Sequence, residues 1–335
     1  MRKSLIALLV MTVLTSFFSC NSFKINVNLD NTTGKTVYLK QFENGTMTTI
    51  DSVVAKDNKA VFKMAKSDNN DAFNVMINGW RRPLTFFADN QDVMINGDYQ
   101  KYNEITISAS ESQEKLNKFM NEIDNLEDDQ KIHYCALDFV KQNIDNPVGA
   151  YALYRYKWAF EFNDLQKLLE VMPNDMESGY KTLVVEYFEG LQRTQDGNPY
   201  IDFTMKDVNG EDFTLSSIIG KSKVIILDFW ASWCPDCRKE NPGLVAVYNE
   251  FKDKGLDIVS VSFDTNEDAW KKAIVDDNLS WSHHVSDLKG WNNATAELYT
   301  IAYIPQNLIL DENGTIIKKN VSSERMREVL ISILN

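Results

Sequence analysis

Residues 224–237 read VIILDFWASWCPDC, an apolar run that leads directly into two cysteines. The near-continuous run Val224–Trp230 predicts a central β-strand, because a strand covered on both faces has apolar residues at every position rather than at alternate ones. From Pro235 to Lys254 the apolar residues recur at helical spacing. The stretch therefore predicts a buried strand, a short loop that contains Cys234, and a long helix.

Cys234 and Cys237 form a Cys-x-x-Cys pair at the predicted start of this helix. Unpaired backbone N–H groups and the positive end of the helix dipole favour a thiolate at such a position, so Cys234 is the expected nucleophile. Cys237 lies about one helical turn further along, and we expect it to resolve the mixed disulfide. Pro235 suits the first turn, where its missing N–H removes no hydrogen bond.

A lone Cys-x-x-Cys pair also occurs as half of a zinc site, but zinc needs a second pair of ligands. The histidines do not supply that pair, because His133 stands alone and His283 and His284 are adjacent in sequence. We expect no metal, and no cofactor beyond the redox-active disulfide. Cys135 has two interpretations: a small buried residue on a helix, or a resolving or regulatory thiol.

The chain on either side of the cysteine pair alternates between strands and helices, which is typical of a mixed or parallel sheet with covering helices. Asp257–Phe263 predicts a second buried strand. Gln306–Leu310 and Thr315–Lys319 are separated by a turn sequence and predict a hairpin at the sheet edge. A closing helix is expected over Ser323–Leu334.

This C-terminal part resembles the thioredoxin superfamily, specifically its exported TlpA/ResA-like branch. The residues that carry the resemblance are LDFWASWCPDCRKE at 227–240 and Tyr303-Ile304-Pro305, within a similar region from Pro199 to Asn335. Strand, cysteine motif, helix, later proline and terminal hairpin occur in the order that the fold requires. The resemblance implies an α/β thioredoxin fold and thiol-disulfide oxidoreductase activity.

The resemblance also implies roles for individual residues. Pro305 corresponds to the cis-proline whose loop packs against the redox pair, and Ile304 would offer backbone hydrogen bonds to a substrate chain. Asp228 matches a buried acid that would relay a proton to the resolving cysteine. The alternative for Asp228 is a strand-end carboxylate satisfied by hydrogen bonds. We expect Trp233 to shield the reactive sulfur and, with Pro235, to contribute substrate surface.

Asp236 departs from the Gly-Pro and Glu-Pro pairs that are common in reducing relatives. Its negative charge should oppose thiolate formation at Cys234, and Arg238 and Lys239 should partly counter that effect. The motif itself therefore leaves the direction of electron flow open. The resemblance favours reduction of a client such as apocytochrome c over net oxidation.

Two regions precede the thioredoxin-like part. From Phe23 to Ile107 apolar and polar residues alternate between turn sequences, which predicts an antiparallel β domain of sandwich type. From Ser110 to Arg193 the spacing becomes helical. The first region resembles the uncharacterised domain that precedes thioredoxin modules in many bacterial lipoproteins. The expected boundaries are 20–108 for the β domain, 109–195 for the helical segment and 196–335 for the thioredoxin-like domain.

The first twenty residues have the pattern of a secretory signal. Arg2 and Lys3 precede the apolar stretch Leu5–Leu14, which is too short for a stable membrane anchor. Cys20 follows, so this end resembles the lipobox of bacterial lipoproteins, in which the signal, here residues 1–19, is removed and the cysteine is lipidated. The alternative is an ordinary cysteine in or after a signal peptide. No acidic run follows Cys20, which favours a periplasm-facing lipid anchor in the cell envelope.

The formal net charge of −13 argues against a nucleic-acid partner, because such binders need clustered cations to displace counterions. The leading hypothesis is an extracytoplasmic thiol-disulfide oxidoreductase that acts on client proteins and is reduced by a membrane electron donor. One alternative is an envelope binding or assembly lipoprotein with an accessory thioredoxin module. A peroxiredoxin is disfavoured, because residues 227–233 lack the Thr or Ser setting that precedes a peroxidatic cysteine.

Overall fold

A computed structural model describes residues 22–43, 46–68 and 71–334. The predicted signal segment 1–19 and Cys20 lie outside the described residues. Contacts divide the chain into two compact units, the first formed by described residues up to Tyr156 together with Val171–Thr182. The second unit comprises Lys157–Glu170 and the described residues from Leu183 onward. The boundaries expected from the sequence stay a prediction.

The first unit contains two four-stranded sheets. Their orders are β4-β1-β7-β8 and β3-β2-β5-β6. The strands are β1 (Ser22–Asp30), β2 (Thr36–Glu43), β3 (Thr46–Val54), β4 (Lys59–Ala65), β5 (Phe73–Ile77), β6 (Leu84–Phe86), β7 (Val93–Asp98) and β8 (Thr106–Ser108).

Alternation of apolar and polar residues builds the core of this unit. In β1, Ile25, Val27 and Leu29 are buried and share one apolar cluster with residues of the other sheet. Strand pairing is antiparallel with one exception, the parallel pair β1–β7. The exception arises because the chain leaves the first sheet after β4, builds β5 and β6 in the other sheet, and then returns beside β1.

Five helices follow the strands. They are α1 (Glu111–Ile123), α2 (Asp129–Gln142), α3 (Pro147–Arg155), α4 (Phe162–Val171) and α5 (Gly179–Arg193). The first three begin at residues whose side chains accept a hydrogen bond from the first helical turn: Ser110, Asp128 and Asn146. These residue types are preferred at that position because their oxygens satisfy N–H groups that have no helical partner.

The second unit is a mixed α/β structure. Its strands are β9 (Thr204–Lys206), β10 (Asp212–Thr214), β11 (Val224–Trp230), β12 (Leu256–Ser262), β13 (His283–Val285), β14 (Gln306–Asp311) and β15 (Ile316–Lys319). Its remaining helices are α6 (Pro235–Phe251), α7 (Glu267–Asp276), α8 (Ala294–Leu298) and α9 (Ser323–Leu334).

A five-stranded sheet in the order β13-β12-β11-β14-β15 forms the centre of this unit. Strand β11 is buried at every position, runs parallel to β12 and pairs antiparallel with β14. Gly314 has a φ of +82° in the turn between β14 and β15, a conformation that glycine adopts without a steric penalty. The architecture expected from the sequence, an antiparallel β region, a helical segment and an α/β region, is confirmed.

Four polar residues lie in register across four adjacent strands of this sheet, from β14 to the edge strand β13. Asn307 on β14 pairs with Asp228 on β11, Asp228 with Ser260 on β12, and Ser260 with His284 on β13. Residues paired in this way point to the same face of a sheet. We call these four residues the polar row. Three of them, Asp228, Ser260 and His284, are buried.

Among the described residues, no helix combines the length and apolar character that crossing a membrane requires.

Candidate active site

The two cysteines lie at the junction of β11 and α6. Cys234 is the residue that begins α6, Pro235 occupies the first turn, and Cys234 and Cys237 form a disulfide with a Cα–Cα distance of 5.3 Å. The backbone N–H of Cys237 points to Cys234 Sγ at 3.1 Å. This N–H is one of those that the helix start leaves without a helical partner, so it would stabilise negative charge on Cys234.

The two sulfurs differ in access. Cys234 is 5% exposed and Cys237 1% exposed, so an incoming disulfide can reach Cys234 more easily. On its other side Cys234 Sγ lies 3.8 Å from the carbonyl oxygen of Ile304. The Ile304–Pro305 peptide bond is cis. The structure therefore brings the loop before β14 against Cys234.

A cavity of about 220 Å³ opens beside Cys237. Asp228, Glu240 and Asn241 contribute polar groups to its wall, and Pro305 lines it on the side of the cis peptide. Glu240 had no assigned role in the sequence, although its place three residues after Cys237 puts it on the same helix face. The cavity thus brings two carboxyl groups and a sulfur to one space.

Asp228 is buried, and that burial raises the pKa of its carboxyl to about 7. Ser260 donates a hydrogen bond to Asp228 Oδ2 at 2.8 Å, which acts in the opposite direction by favouring the carboxylate. A carboxyl with a pKa near neutrality can accept and return a proton under ordinary conditions. The geometry therefore allows Asp228 to exchange a proton with a group in the cavity.

The loop before Cys234 is fixed by a buried acid. Asp264, which is 1% exposed, accepts hydrogen bonds from the backbone N–H and the hydroxyl of Ser232, at 2.9 and 2.5 Å. Ser262 donates to the same carboxylate at 2.7 Å. These bonds hold the loop at a fixed distance from β12, and no sequence pattern indicated them.

Arg238 does not stand free beside the cysteines. Its guanidinium forms an ion pair with Asp277, with one bond of 2.6 Å, and also donates to the Ser232 carbonyl at 3.2 Å. Burial alone would raise the pKa of Asp277, but hydrogen bonds from Arg238 and Asn241 hold that pKa below its usual range. The positive charge of Arg238, which was expected to counter the charge of Asp236, is therefore largely compensated by Asp277.

Two tryptophans form an exposed aromatic surface next to Cys234. Trp233 and Trp291 are each 50% exposed, and their ring centroids lie 6.3 Å apart. The indole N–H of Trp233 donates to the carbonyl of Phe263 at 3.1 Å, which fixes the ring. Trp230, by contrast, is fully buried, as its place in the central strand requires. Sequence analysis missed Trp291, which is distant in sequence from the motif.

Cys135 lies in α2 of the first unit and has no disulfide partner among the described residues. Burial raises the pKa of its thiol, and the carboxylates of Glu122 and Asp138 add to that effect. A thiol with a raised pKa is a poor nucleophile at neutral pH. In the described part of the chain, no group of three or more acidic, histidine or cysteine side chains is arranged to hold a metal ion.

Comparisons with known proteins agree with this site. Residues 197–319 match the AhpC/TSA family, and residues 23–116 match a domain of unknown function, DUF4369. The thioredoxin-like protein YneN of Bacillus subtilis is 33% identical over 137 residues, which cover 40% of this chain and 76% of that protein. The thiol-disulfide oxidoreductase ResA of Halalkalibacterium halodurans is 27% identical over 158 residues, 47% of this chain and 86% of that protein.

Among solved structures, the thioredoxin domain of a thiol-disulfide oxidoreductase from Bacteroides vulgatus is 33% identical, with a TM-score of 0.39. The match covers 42% of this chain and 99% of that domain.

The second unit contains a thioredoxin-like domain with a Cys-x-x-Cys disulfide, and this class of protein carries out thiol-disulfide exchange. The chain belongs to the thiol-disulfide oxidoreductases related to ResA and TlpA, with a DUF4369 domain at its N-terminal side. The thioredoxin fold and the oxidoreductase activity expected from the sequence are confirmed.

Proposed function

We propose that this protein is an extracytoplasmic reductase of protein disulfides, with Cys234 as the nucleophile and Cys237 as the resolving thiol. The observation that carries the proposal is the position of Cys234, at the start of α6 and 3.8 Å from the Ile304 carbonyl. A polypeptide bound along the Ile304 backbone would have its own disulfide beside this sulfur. A small-molecule disulfide needs no such backbone partner.

The reaction begins with the reduced pair. The Cys234 thiolate attacks one sulfur of a client disulfide, a mixed disulfide forms, and the other client sulfur leaves as a thiolate. Asp228 accepts the proton of the Cys237 thiol, and the resulting thiolate attacks Cys234 Sγ. That step releases the second client sulfur and restores the Cys234–Cys237 disulfide. Two electrons pass to the client, and a membrane electron donor must return two electrons to the pair.

Other residues position the client. The Ile304 backbone, beside the cis bond to Pro305, offers hydrogen-bonding groups, and Trp233 and Trp291 offer an apolar surface on the same side as Cys234. Aromatic side chains bind extended polypeptides well, because they bury a large area with little loss of side-chain freedom. Oxidised envelope proteins such as apocytochrome c are the client class that we propose.

Cells that produce the Cys237→Ala variant provide the main test. Without the resolving thiol, client proteins should stay covalently attached to Cys234 and should be released by a reductant. The matched control is Cys234→Ala, which retains Cys237 and the cavity. Clients captured equally by both variants would contradict the proposal and favour the alternative of an envelope binding lipoprotein.

The cellular location is a separate part of the proposal. We propose that the chain is exported and anchored in the cell envelope through a lipid on Cys20, facing the periplasm. Metabolic labelling with a radioactive or clickable fatty acid tests this directly. The wild-type protein should incorporate label and fractionate with membranes, whereas Cys20→Ser should do neither. Equal labelling of both proteins would rule out Cys20 as the lipid site.

A further inference from the structure

The polar row, formed by Asn307, Asp228, Ser260 and His284, lies across a sheet whose other interior positions are mostly apolar. Burying polar groups in such a sheet is costly unless each group has a partner. The side chain of Asn307 is satisfied by the backbone of Val321. Its amide N–H donates to the Val321 carbonyl at 2.9 Å, and its amide oxygen accepts from the Val321 N–H at 3.1 Å. The neighbouring pair of Asp228 and Ser260 is satisfied differently.

A chain of two hydrogen bonds leads from Trp281 to the acid. The indole N–H of Trp281 donates to Ser260 Oγ at 3.1 Å, and Ser260 Oγ donates to Asp228 Oδ2 at 2.8 Å. Trp281 is 3% exposed and Ser260 fully buried, so water does not compete for these groups. Trp281 is itself held between two rings, Tyr248 at 5.5 Å and His284 at 5.4 Å.

The direction of this chain follows from the donors present. An indole N–H can only donate, whereas a serine hydroxyl has one proton and two acceptor sites. With Trp281 donating to it, Ser260 has its proton available for Asp228 Oδ2. If Oδ2 carried the proton of the acid and donated it to the second acceptor site of Ser260, the Ser260 proton would lose Oδ2 as its acceptor, and the described residues offer it no other. The arrangement is therefore satisfied in full only when Oδ2 is an acceptor.

We propose that Trp281 and Ser260 are positioning residues that keep Asp228 Oδ2 as a hydrogen-bond acceptor, so that the proton from Cys237 is received on Oδ1. Among the described residues Asp228 has no second hydrogen-bond donor, and its side chain lines the cavity that Cys237 also lines. Oδ1 is thus the oxygen available on the sulfur side. This inference rests on the proposed role of Asp228 as the proton acceptor in disulfide exchange. It adds which oxygen receives the proton and which residues determine that choice.

The charged and titratable groups around Asp228 come from three elements. From α6, Cys237 and Glu240 face the cavity, and Tyr303 faces it from the loop before β14. On the side of β13, burial lowers the pKa of His284 to about 4, so this ring is neutral at physiological pH. None of the cavity-lining residues is a lysine or arginine. Hydrogen bonding by Ser260 is therefore the main local stabilisation of the carboxylate.

The test uses the small disulfide DTNB, so that the client need not be known. The reduced full-length protein carries Cys20→Ser and Cys135→Ser, which leaves only the redox pair to react. Attack by Cys234 releases one thionitrobenzoate, and attack by Cys237 on Cys234 Sγ releases the second. The rate of the second release is measured between pH 5.5 and 9, and it reports proton transfer from Cys237.

In the protein that carries only Cys20→Ser and Cys135→Ser, this rate should rise with pH around the pKa of Asp228, about 7. Ser260→Ala removes the bond that favours the carboxylate, so the midpoint should move up by about one pH unit. At pH 6 the second release should slow by about three- to tenfold, since a stronger base partly offsets the smaller carboxylate fraction. Trp281→Phe should move the midpoint in the same direction, by about half as much.

Tyr248→Phe is the matched control. It alters the ring that packs on Trp281 but leaves the hydrogen-bond chain intact, so the midpoint should stay where it is in the protein with Tyr248. A midpoint that Ser260→Ala leaves unchanged would overturn the proposal. A shift in Ser260→Ala with none in Trp281→Phe would overturn the part assigned to Trp281.

A second measurement needs no variant at the buried serine. The indole N–H resonance of Trp281, assigned through Trp281→Phe, should move with pH at the same midpoint as the second release, because Ser260 transmits the charge of Asp228. Asp228→Asn should abolish that movement. An indole resonance that does not titrate in the unchanged protein would overturn the proposal.

Failure of the proposed function would look different. In that case client trapping by Cys237→Ala would fail while the two DTNB steps and their pH dependence remained. Failure of the inference would leave trapping intact and the pH profiles of the variants unshifted.

Discussion

Each of the two compact units contains a deeply buried aspartate, and burial raises the pKa of both. Asp71 in the first unit is 3% exposed and Asp228 in the second 7% exposed. The carboxylate of Asp71 accepts bonds from the Ser178 hydroxyl and the Gly179 N–H, at 2.9 and 2.8 Å, where α5 begins. Asp228 accepts one bond, from Ser260, and lines the cavity beside Cys237.

The difference separates a carboxylate that is held by donors on both oxygens from one that is free to accept a proton. Both oxygens of Asp71 are bonded to donors at a helix start, a place that stabilises negative charge. One oxygen of Asp228 remains for the cavity, next to a sulfur that must lose a proton. Burial alone therefore does not distinguish the two carboxyl groups, whereas an oxygen that has no protein donor among the described residues and faces a cysteine does.

The largest expected effect concerns the cysteines of the two units. Cys234→Ser should reduce the rate at which the reduced protein cleaves a model protein disulfide by at least about a thousandfold, because the nucleophile is lost. Cys135→Ser in the first unit should leave this rate within about twofold, because the Cys135 thiol is held protonated by its surroundings. A large loss in Cys135→Ser would break the assignment of the chemistry to one unit.

The second prediction concerns stability and Asp228. Because the folded protein raises this pKa to about 7, the buried carboxylate lowers stability above that pH, and the penalty disappears below the unfolded value near 3.8. Asp228→Asn should therefore raise the free energy of unfolding at pH 9 by about 4 kcal/mol and leave it nearly unchanged at pH 4. Urea titration followed by tryptophan fluorescence measures this, since six of the seven tryptophans lie in the second unit.

An equal gain for Asp228→Asn at both pH values would show that its carboxylate is not what burial destabilises. The same variant should also slow the release of the second thionitrobenzoate at pH 7. Asp228→Asn should therefore gain stability and lose reaction rate.

The third prediction applies the same reasoning to the other acid. Asp71→Ala should lower the stability of the first unit by about 1–3 kcal/mol, because the Ser178 hydroxyl and the Gly179 N–H lose a buried acceptor. Disulfide reduction should be unaffected. Hydrogen exchange followed by mass spectrometry measures the opening of the first unit by itself, and Ser52→Ala, at an exposed position of β3, is the control. If Asp71→Ala also reduced disulfides more slowly, the two acids would no longer differ in their effect on activity.

The smallest effect is expected at the aromatic surface. Trp291→Ala should raise the KM for a peptide disulfide by about two- to fivefold, since it removes half of the exposed tryptophan pair. The reaction with DTNB should be unchanged, because that small disulfide does not extend over the surface. Val275→Ala, at another exposed apolar position of the second unit, is the matched control. Equal changes with the peptide and with DTNB would place Trp291 in the chemistry and not in client binding.

The sequence predicted those parts of the fold that depend on local pattern. Val224–Trp230 is a central strand and Ser323–Leu334 a closing helix with the expected bounds, because apolar periodicity reports burial directly. The parallel pair β1–β7 could not be predicted, since strand pairing depends on where the chain returns and not on the residues of either strand. The same limit applies to the distribution of the helical segment between the two units.

The candidate site divides along the same line. Cys234, Cys237 and Asp228 are close in sequence, so one motif identified them together. Asp277 contacts Arg238 from 39 residues away, and Trp281 and Trp291 approach the site only through folded loops. Long-range partners of this kind have no local pattern. For that reason the expectation that Arg238 counters Asp236 did not take the Arg238–Asp277 ion pair into account.

The polar row also bears on how this protein would respond to selection for heat resistance. Three of its members, Asp228, Ser260 and His284, are buried, and apolar side chains of similar size would be expected to pack there at lower cost. Most stabilising substitutions in proteins are neutral or harmful for activity when they fall at a functional site. Selection for thermal endurance alone should therefore tend to erase the row, whereas selection for turnover should retain it.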